Sequence, residues 1–357
     1  MREKRVKMRN SDSFPDVEKR KFSSGTVIVL LAASLILSIV LSLTLGRYPI
    51  KTGELMGILA GRISFLKLQP WWSETQEIAL LNIRLPRILM AVMVGSCLAA
   101  AGATYQGVFQ NPIAAPDILG ASAGAGFGAA LAIFLDFGRT GITGAAFAMS
   151  LLTVLMVFII GGRVKGERTL GLVLAGIMVS SLFQAGTSFI KLAADPNDKL
   201  PAITYWLMGS LSGADGNELR FVIWPMAIGL VPLFFLRWRL NVLTMGDAEA
   251  QTMGVDAGKV RLLAVCCATL VTAASVSVSG MIGWVGLVIP HMMRRLVGSD
   301  FRHLLPASIL AGGIFLLLVD DISRCMAEME IPIGILTAFI GAPFFLMLIT
   351  RRDAWHA

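Results

Sequence analysis

Residues 26–46 read TVIVLLAASLILSIVLSLTLG, 21 consecutive residues without a charged side chain. A helix needs roughly 20 mostly apolar residues to cross a bilayer, so this stretch predicts a membrane-spanning helix. The 25 residues before it mix Lys and Arg with Asp and Glu, and the apolar run is too long for the core of a signal peptide. We therefore expect the run to remain in the protein as its first span.

The composition extends this prediction to the whole chain. Of the 357 residues, 55% are hydrophobic and only 15% are charged, whereas soluble domains carry about 25% charged residues. Such a composition excludes a disordered protein and a collagen-like fibre. The four cysteines form no CxxC pair, so neither a disulfide framework nor a zinc site is indicated.

The apolar runs predict an all-α polytopic membrane protein with about ten transmembrane helices. One membrane domain, residues 26–350, lies between an N-terminal tail, 1–25, and a C-terminal tail, 351–357. The eighth run is short and contains a proline, and the boundary before it could be a tight turn or a break. The predicted spans are 26–46, 88–109, 118–135, 142–161, 170–191, 221–238, 261–279, 283–297, 304–324 and 334–350.

The positions of the basic residues predict the orientation. With the N-terminus in the cytoplasm, the inner segments carry 20 of the 31 Lys and Arg residues but only 11 of the 23 acidic ones. Cytoplasmic loops of membrane proteins are enriched in Lys and Arg, so we expect both termini to be cytoplasmic. The net charge of +8 then reflects membrane orientation and requires no nucleic-acid partner.

The third span is dense in small residues. Gly120, Gly124 and Gly128 follow one another at intervals of four, which places them on one helix face. Such a face lets another helix approach closely. We therefore predict a tight helix contact here, which could be static packing or a contact that moves.

The fifth span carries a polar stripe. Ser180, Gln184 and Thr187 fall at i, i+4 and i+7, so they share one helix face. Polar groups inside a bilayer face protein or water. The stripe could form hydrogen bonds between helices, or it could line a wet pathway. Our hypothesis is that the stripe lines a wet pathway.

Two inner connections have unusual sequences. Residues 110–117 read QNPIAAPD, and their two prolines predict a stiff, extended turn that could be a gate-like constriction or a plain connector. The loop at about 239–260 reads as two short helical turns broken at glycines, and its exposed apolar residues favour a partner interface over a solvated linker.

No motif for ATP hydrolysis or other catalysis is present. Residues 254–260, GVDAGKV, lack the spacing of a phosphate-binding loop and its Ser or Thr. The three histidines form no metalloprotease motif, and no nucleophile elbow exists. No cluster of His, Cys and carboxylates predicts a midplane site for a bare metal ion. The chain is therefore expected not to be an enzyme.

Five motifs resemble one family, the FecCD-type permeases, which are membrane subunits of ABC importers for iron–siderophore complexes, haem and vitamin B12. The motifs are RLPR at 84–87, QNPIAAPDILG at 110–120, GMIGWVGLVIPH at 280–291, IPIG at 331–334 and IGAPF at 340–344. The resemblance implies a BtuC-like permease fold with ten helices per subunit. It also implies that ATP and Mg²⁺ bind to partner ATPases and that this chain holds no cofactor or metal.

The resemblance also assigns roles to residues. It implies an ATPase-docking loop containing Gly246, Asp247, Glu249, Ala250, Gly254 and Val255. It places Arg84, Arg87 and Arg324 opposite acidic residues of an extracytoplasmic binding protein, although arginines at helix ends also serve as membrane anchors. It places a cytoplasmic gate at Asn111, Pro112 and Ile113. Asp320, Asp321 and Arg324 are expected to form a local charge network.

The implied assembly comprises a second permease subunit, in a homodimer or close heterodimer, two cytoplasmic ABC ATPases and a substrate-binding protein. They would work in the lipid bilayer of a bacterial or archaeal cytoplasmic membrane. Ferric siderophore is the expected cargo, since it is the commonest in the family, and haem and vitamin B12 are alternatives. An ion-coupled secondary transporter is the rival class, but it needs membrane-embedded ionisable residues, which are few here.

Overall fold

The computed structural model describes residues 23–46, 48, 50–61, 71–164 and 168–350. The regular secondary structure of this part of the chain is entirely helical, without a β-strand. Most of the predicted N-terminal tail and the whole C-terminal tail lie outside the described residues. The α-helices are α1 Ser24–Thr44, α2 Thr52–Gly61, α3 Glu74–Ile78, α4 Leu85–Val108, α5 Ala121–Phe134, α6 Arg139–Gly161, α7 Arg168–Ala193, α8 Lys199–Leu207, α9 Gly216–Thr244, α10 Asp247–Thr252, α11 Ala257–Ser279, α12 Val285–Val297, α13 Phe301–Cys325 and α14 Ile333–Thr350.

Each predicted span coincides with a helix, and the all-α class is confirmed. Seven helices of the described chain are long and apolar enough to cross a membrane, namely α1, α4, α6, α7, α9, α11 and α13. The shorter α5, α12 and α14 account for the other three predicted runs, so the count of ten is approximate. A π-helical stretch, Ala79–Arg84, joins α3 to α4 and makes the second span a continuous 35-residue helix.

The eighth predicted span is a break followed by a half-length helix. α12 has 13 residues, which rise about 20 Å, short of the ~30 Å hydrocarbon core. The non-helical stretch before it begins at Gly280, with φ of 67°, and ends at Trp284, with φ of 69°. A Cβ atom at Gly280 would lie 2.3 Å from the carbonyl oxygen of Trp206, so this position requires glycine.

Helix α4 forms the centre of the bundle. It packs against α9, α11, α12 and α13, and every residue from Val94 to Val108 is buried. Glycines permit two of these contacts: a Cβ atom at Gly95 would lie 2.2 Å from the carbonyl oxygen of Gly312, and one at Gly102 would lie 1.8 Å from that of Gly286. The backbones touch directly, so α4 is held on several sides at once.

The predicted tight contact of the third span is confirmed in α5. A Cβ atom at Gly124 would meet Thr153 Oγ1 at 2.0 Å, and one at Gly128 would meet the carbonyl oxygen of Ala145 at 2.4 Å. Both partners lie on α6. Gly124 and Gly128 therefore serve the close packing of α5 on α6. Gly120 precedes α5, has a φ of 74° and lies beside Ser180 of α7, so the prediction that all three glycines share one helix face is wrong for Gly120.

The bundle has two ends, which we call proximal and distal. α1 begins and α12 ends at the proximal end, where Ser24 Oγ donates a hydrogen bond to the carbonyl oxygen of Val297 at 3.2 Å. α1 ends at the distal end, where Ser42 Oγ donates to Asp321 Oδ1 at 2.7 Å. The functional residues predicted above, apart from the stripe on α7, divide between these two ends.

Candidate functional site

The loop predicted to dock on a partner forms a single short helix at the proximal end. α9 continues to Thr244 and α11 begins at Ala257, so the connection is shorter than the predicted 239–260. One helix, α10, lies between Gly246 and Gly254, whose φ angles are 118° and 73°. The prediction of two helical turns is therefore corrected to one helix with a glycine at each end.

Contacts within the loop hold α10 against the bundle. Ala250 is completely buried and its carbonyl oxygen accepts a hydrogen bond from the Val255 N–H at 2.9 Å. Asp247 accepts hydrogen bonds from Arg261 of α11, the shorter at 2.6 Å. The Arg261 guanidinium lowers the pKa of Asp247 below its usual range, so this carboxylate remains charged. Glu249 and Met253 are exposed, so the loop presents a formed helical surface to solvent.

The end of α9 is bonded to the start of α13. Asn241 Oδ1 accepts the Phe301 N–H at 2.7 Å, and Asn241 Nδ2 donates to Asp300 Oδ1 at 2.6 Å. Asp300 also caps α13 by accepting the Arg302 N–H. Sequence reasoning missed Asn241, because nothing near it in the chain indicates a partner 60 residues away.

The predicted gate turn is bonded to the root of the docking loop. Gln110 has a positive φ of 48°, which is uncommon outside glycine, and its Nε2 donates to the carbonyl oxygen of Leu243 at 3.0 Å. Asn111 Oδ1 accepts the Ile113 N–H at 3.0 Å. Asn111, Pro112 and Ile113 are all exposed at the proximal end. Their role as a gate stays a prediction, but Gln110 joins this turn to the last turn of α9.

At the distal end, Arg87 is buried in an ion-pair network. Its Nε and Nη2 donate to Asp320 of α13 at 2.8–3.0 Å, and its Nη1 and Nη2 donate to Glu330 at 2.9 and 3.0 Å. Arg87 is 6% exposed and Asp320 is 0% exposed. The guanidinium thus joins α4 to α13 and to the segment that follows α13.

The other two predicted docking arginines are also buried and bonded within the chain. Arg84 donates to the backbone carbonyl oxygens of Leu43, at 2.9 Å, and of Tyr48. Arg324 donates to Asp321 and to Ser42 of α1. This arrangement agrees with the expected local charge network. Both arginines are 5–6% exposed, so neither projects from the surface.

The three arginines meet in one narrow cavity of about 200 Å³. Arg84, Arg87 and Arg324 line it together with Glu330. Binding-protein docking by these residues stays a prediction. In the structure they donate hydrogen bonds to groups of the same chain, and Glu330 occupies the position beside Arg87 that a partner's carboxylate would need.

The polar stripe on α7 is divided between two environments. Ser180 is half-buried beside Gly120, where a Cβ atom would lie 2.3 Å from Ser180 Oγ. Thr187 is buried and donates to the carbonyl oxygen of Phe183 at 2.9 Å. Gln184 is exposed on a mostly apolar face. The structure therefore brings Ser180 and Thr187 into packing contacts, and a pathway lining stays a prediction carried best by Gln184.

Residues 34–351 match the sequence profile of the FecCD transport family. The chain belongs to the FecCD transport family. The similar proteins from this family are permease proteins of import or transport systems. This chain is accordingly a multi-pass membrane permease of the ABC importer class.

Three relatives illustrate the range of the FecCD family. The molybdate import system permease protein MolB of Haemophilus influenzae is 38% identical over 89% of this chain and 93% of that protein. A probable iron chelatin transport system permease protein of Helicobacter pylori is 40% identical over 77% and 83%. The cobalamin import system permease protein BtuC of Halobacterium salinarum is 41% identical over 78% and 75%.

A solved structure confirms the fold. A metal-chelate type ABC transporter in an inward-facing conformation aligns with a TM-score of 0.81 and 36% identity, over 91% of this chain and 99% of that one. The BtuC-like permease fold predicted from the motifs is thus confirmed.

The FecCD chain also has a polar cavity that sequence reasoning missed. Glu218, at the start of α9, is 7% exposed, and its Oε1 accepts hydrogen bonds from Arg139 at 2.6 Å and Thr143 at 3.4 Å. It lines a cavity of about 390 Å³ with Tyr205 and several serines at the distal end. No local pattern assigns a role to Glu218, because its partner Arg139 on α6 is 79 residues away in the chain.

Proposed function

We propose that this chain is the membrane-spanning permease subunit of an ABC importer that carries a chelated iron complex, a ferric siderophore, across a bacterial or archaeal cytoplasmic membrane. The proximal end lies in the cytoplasm in this proposal, because it carries the basic segments. The observation that best supports a permease driven by a partner ATPase is the hydrogen bond from Gln110 to the carbonyl oxygen of Leu243. It joins the gate turn to the start of the α10 loop.

The α10 loop is the proposed contact with the ATPase. Residues 246–255 form a short helix held by the buried Ala250 and by the Asp247–Arg261 pair. A firmly held helix transmits a push from a partner into α9 and α11. ATP and Mg²⁺ bind to two separate ATPase subunits in this scheme, and this chain holds no cofactor.

The coupling follows from the contacts at the end of α9. Movement of α10 displaces Leu243, and the Gln110 side chain carries that displacement to Asn111, Pro112 and Ile113. In the proposed homodimer, the two copies of this turn close the cytoplasmic end of a pathway between the subunits. Gln184 of α7 is exposed and is proposed to face this pathway.

The distal end is the proposed contact with a substrate-binding protein. Arg84, Arg87 and Arg324 line one narrow cavity, so an acidic side chain of the binding protein would have to enter it and displace Glu330 from Arg87. The Glu330 side chain is 23% exposed, and breaking this part of the network costs less than breaking the buried Asp320 pair.

The choice of cargo is supported by family membership and by chemistry. The described residues contain no group of three His, Cys, Asp or Glu side chains that could hold a metal ion. A complexed metal needs no such group on the permease. Haem and vitamin B12 are the alternative cargoes. Relatives at about 40% identity are named for cargoes as different as molybdate and cobalamin, so identity at this level does not select one cargo.

The decisive experiment reconstitutes the chain in proteoliposomes with its ATPase and its binding protein. We expect the permease to stimulate ATP hydrolysis and to support ATP-dependent uptake of one cargo from a panel of ferric siderophore, haem, vitamin B12 and molybdate. A charge reversal of the exposed Glu249, Glu249→Lys, should weaken assembly with the ATPase. Uptake that persists without any ATPase but requires an ion gradient would instead identify a secondary transporter.

A further inference from the structure

An apolar groove runs between α9 and α13 on the outer surface of the bundle. It has a volume of about 550 Å³ and is lined by apolar side chains, among them Leu230, Val231, Phe234, Pro306 and Ile309. Val231 is 53% exposed, so the groove is open to the surface at this position. The groove has the dimensions and the chemistry of a site for a hydrocarbon chain.

A second cavity continues this groove toward the proximal end. It has a volume of about 480 Å³ and shares Phe234 and Phe235 with the groove, while its other lining residues are Arg237, Trp238, Arg302 and His303. Phe235 is 78% exposed. An apolar groove thus opens directly into a cationic pocket, at the level where the last turns of α9 meet the first turn of α13.

Arg237 and Arg302 are the two arginines that line this pocket. The Arg237 guanidinium stacks over the Phe234 ring at 4.3 Å, and neither Arg237 nor Arg302 forms an ion pair with a carboxylate of the described residues. Asp300 interacts electrostatically with Arg302 but does not line the pocket: it accepts hydrogen bonds from Asn241 and from the Arg302 backbone N–H, and lies 3.8 Å from His303.

We propose that the groove and pocket together bind one anionic phospholipid of the cytoplasmic leaflet. The headgroup phosphate lies between Arg237 and Arg302, and an acyl chain follows the groove past Val231. Basic pockets between transmembrane helices on the cytoplasmic side bind anionic headgroups. Trp238 lines the same pocket, and tryptophan is enriched at membrane–water interfaces. The choice of leaflet rests on the proposed function, which places the proximal end in the cytoplasm.

Charge complementarity selects this occupant over a second copy of the chain. The pocket presents two arginines, and a copy of the same surface would bring two more arginines against them. Phospholipid is also the solvent of this face. An anionic lipid supplies both a phosphate for the cations and a hydrocarbon chain for the groove.

Native mass spectrometry of the purified permease, released from nanodiscs of mixed phosphatidylglycerol and phosphatidylethanolamine, measures the retained lipid. Each Arg near an anionic surface contributes about a fivefold preference. We therefore expect the double variant R237Q/R302Q to lose about 25-fold in its preference for phosphatidylglycerol. Arg239 is exposed on the same helix but does not line the pocket, so Arg239→Gln should leave the preference unchanged.

A second variant tests the groove without changing charge. Val231→Trp fills an exposed position and should abolish retention of the tightly bound lipid while the protein stays folded. The proposal is overturned if R237Q/R302Q retains the wild-type preference, if Arg239→Gln lowers it equally, or if Val231→Trp alters the oligomeric state and not lipid retention. Lipid retention is measured without ATPase or binding protein. A negative result would therefore reject the lipid site without rejecting the proposed transport function.

Discussion

The ion-pair network of Arg87 predicts a large loss of stability when the guanidinium is removed. The substitution Arg87→Met keeps an apolar stem but eliminates five hydrogen bonds, three to Asp320 and two to Glu330. Asp320 is left completely buried, with Arg324 Nε, 3.9 Å away, as its remaining cation in the network. The main consequence is that the buried carboxylate of Asp320 loses its principal counter-charge.

The magnitude follows from the burial of each pair. Breaking a buried ion pair by removing one partner costs about 3–5 kcal/mol. The contact with Glu330 adds at most about 1 kcal/mol, because that side chain retains 23% exposure. We expect Arg87→Met to lower the free energy of unfolding by about 4 kcal/mol. The double variant R87M/D320N should recover about half of this, since it no longer buries an uncompensated charge.

The assay is denaturant unfolding of the purified permease in detergent, without any partner protein. Glu330→Gln is the matched control and should cost about 1 kcal/mol or less. A role in docking alone makes a different prediction: Arg87→Met would leave unfolding unchanged and only weaken binding-protein affinity in a salt-dependent way. That result would refute the reasoning from burial.

Three further predictions concern the bundle and the proximal end. Gly102→Ala should force α4 away from α12 and cost about 1–3 kcal/mol in detergent unfolding, whereas Gly144→Ala on α6, where nothing lies within 4 Å, should be neutral or stabilising. Gln110→Leu removes one hydrogen bond worth about 1 kcal/mol, so uptake per ATP should fall about fivefold while ATP hydrolysis continues; equal losses in both would contradict the coupling role. The Asp247–Arg261 pair stabilises the α10 loop at pH values above the ordinary carboxyl pKa of about 3.9, and this stability is lost as pH falls through the lowered pKa of Asp247. Hydrogen exchange of α10, corrected for intrinsic rates, should show this loss in the wild type and not in Asp247→Asn.

The sequence predicts the features that depend on local patterns. The apolar runs locate the helices, and the spacing of Gly124 and Gly128 predicts the close packing of α5 on α6. Helix lengths are less accurate: α9 contains Pro225 and Pro232 and still continues to Thr244. Prolines are tolerated in membrane helices that pack against neighbours, and α9 packs against α4 and α11.

The side-chain networks could not be predicted in the same way. Arg87 is 233 residues from Asp320, and Gln110 is 133 residues from Leu243. No local pattern encodes such distances, so the arginines of the RLPR motif read only as charges near a helix end. Their burial depends on where α1, α4 and α13 meet.

The half-length helix α12 has a consequence for how the protein enters the membrane. It has only 13 residues and carries Arg294 and Arg295 in its last turn. A helix of this length rises about 20 Å and cannot cross the ~30 Å hydrocarbon core alone, and the two arginines favour the membrane surface at its proximal end. We expect α11 and α12 to leave the translocation channel together as a hairpin. The close contact of Gly286 with Gly102 then holds α12 against α4, a helix that precedes the hairpin in the chain.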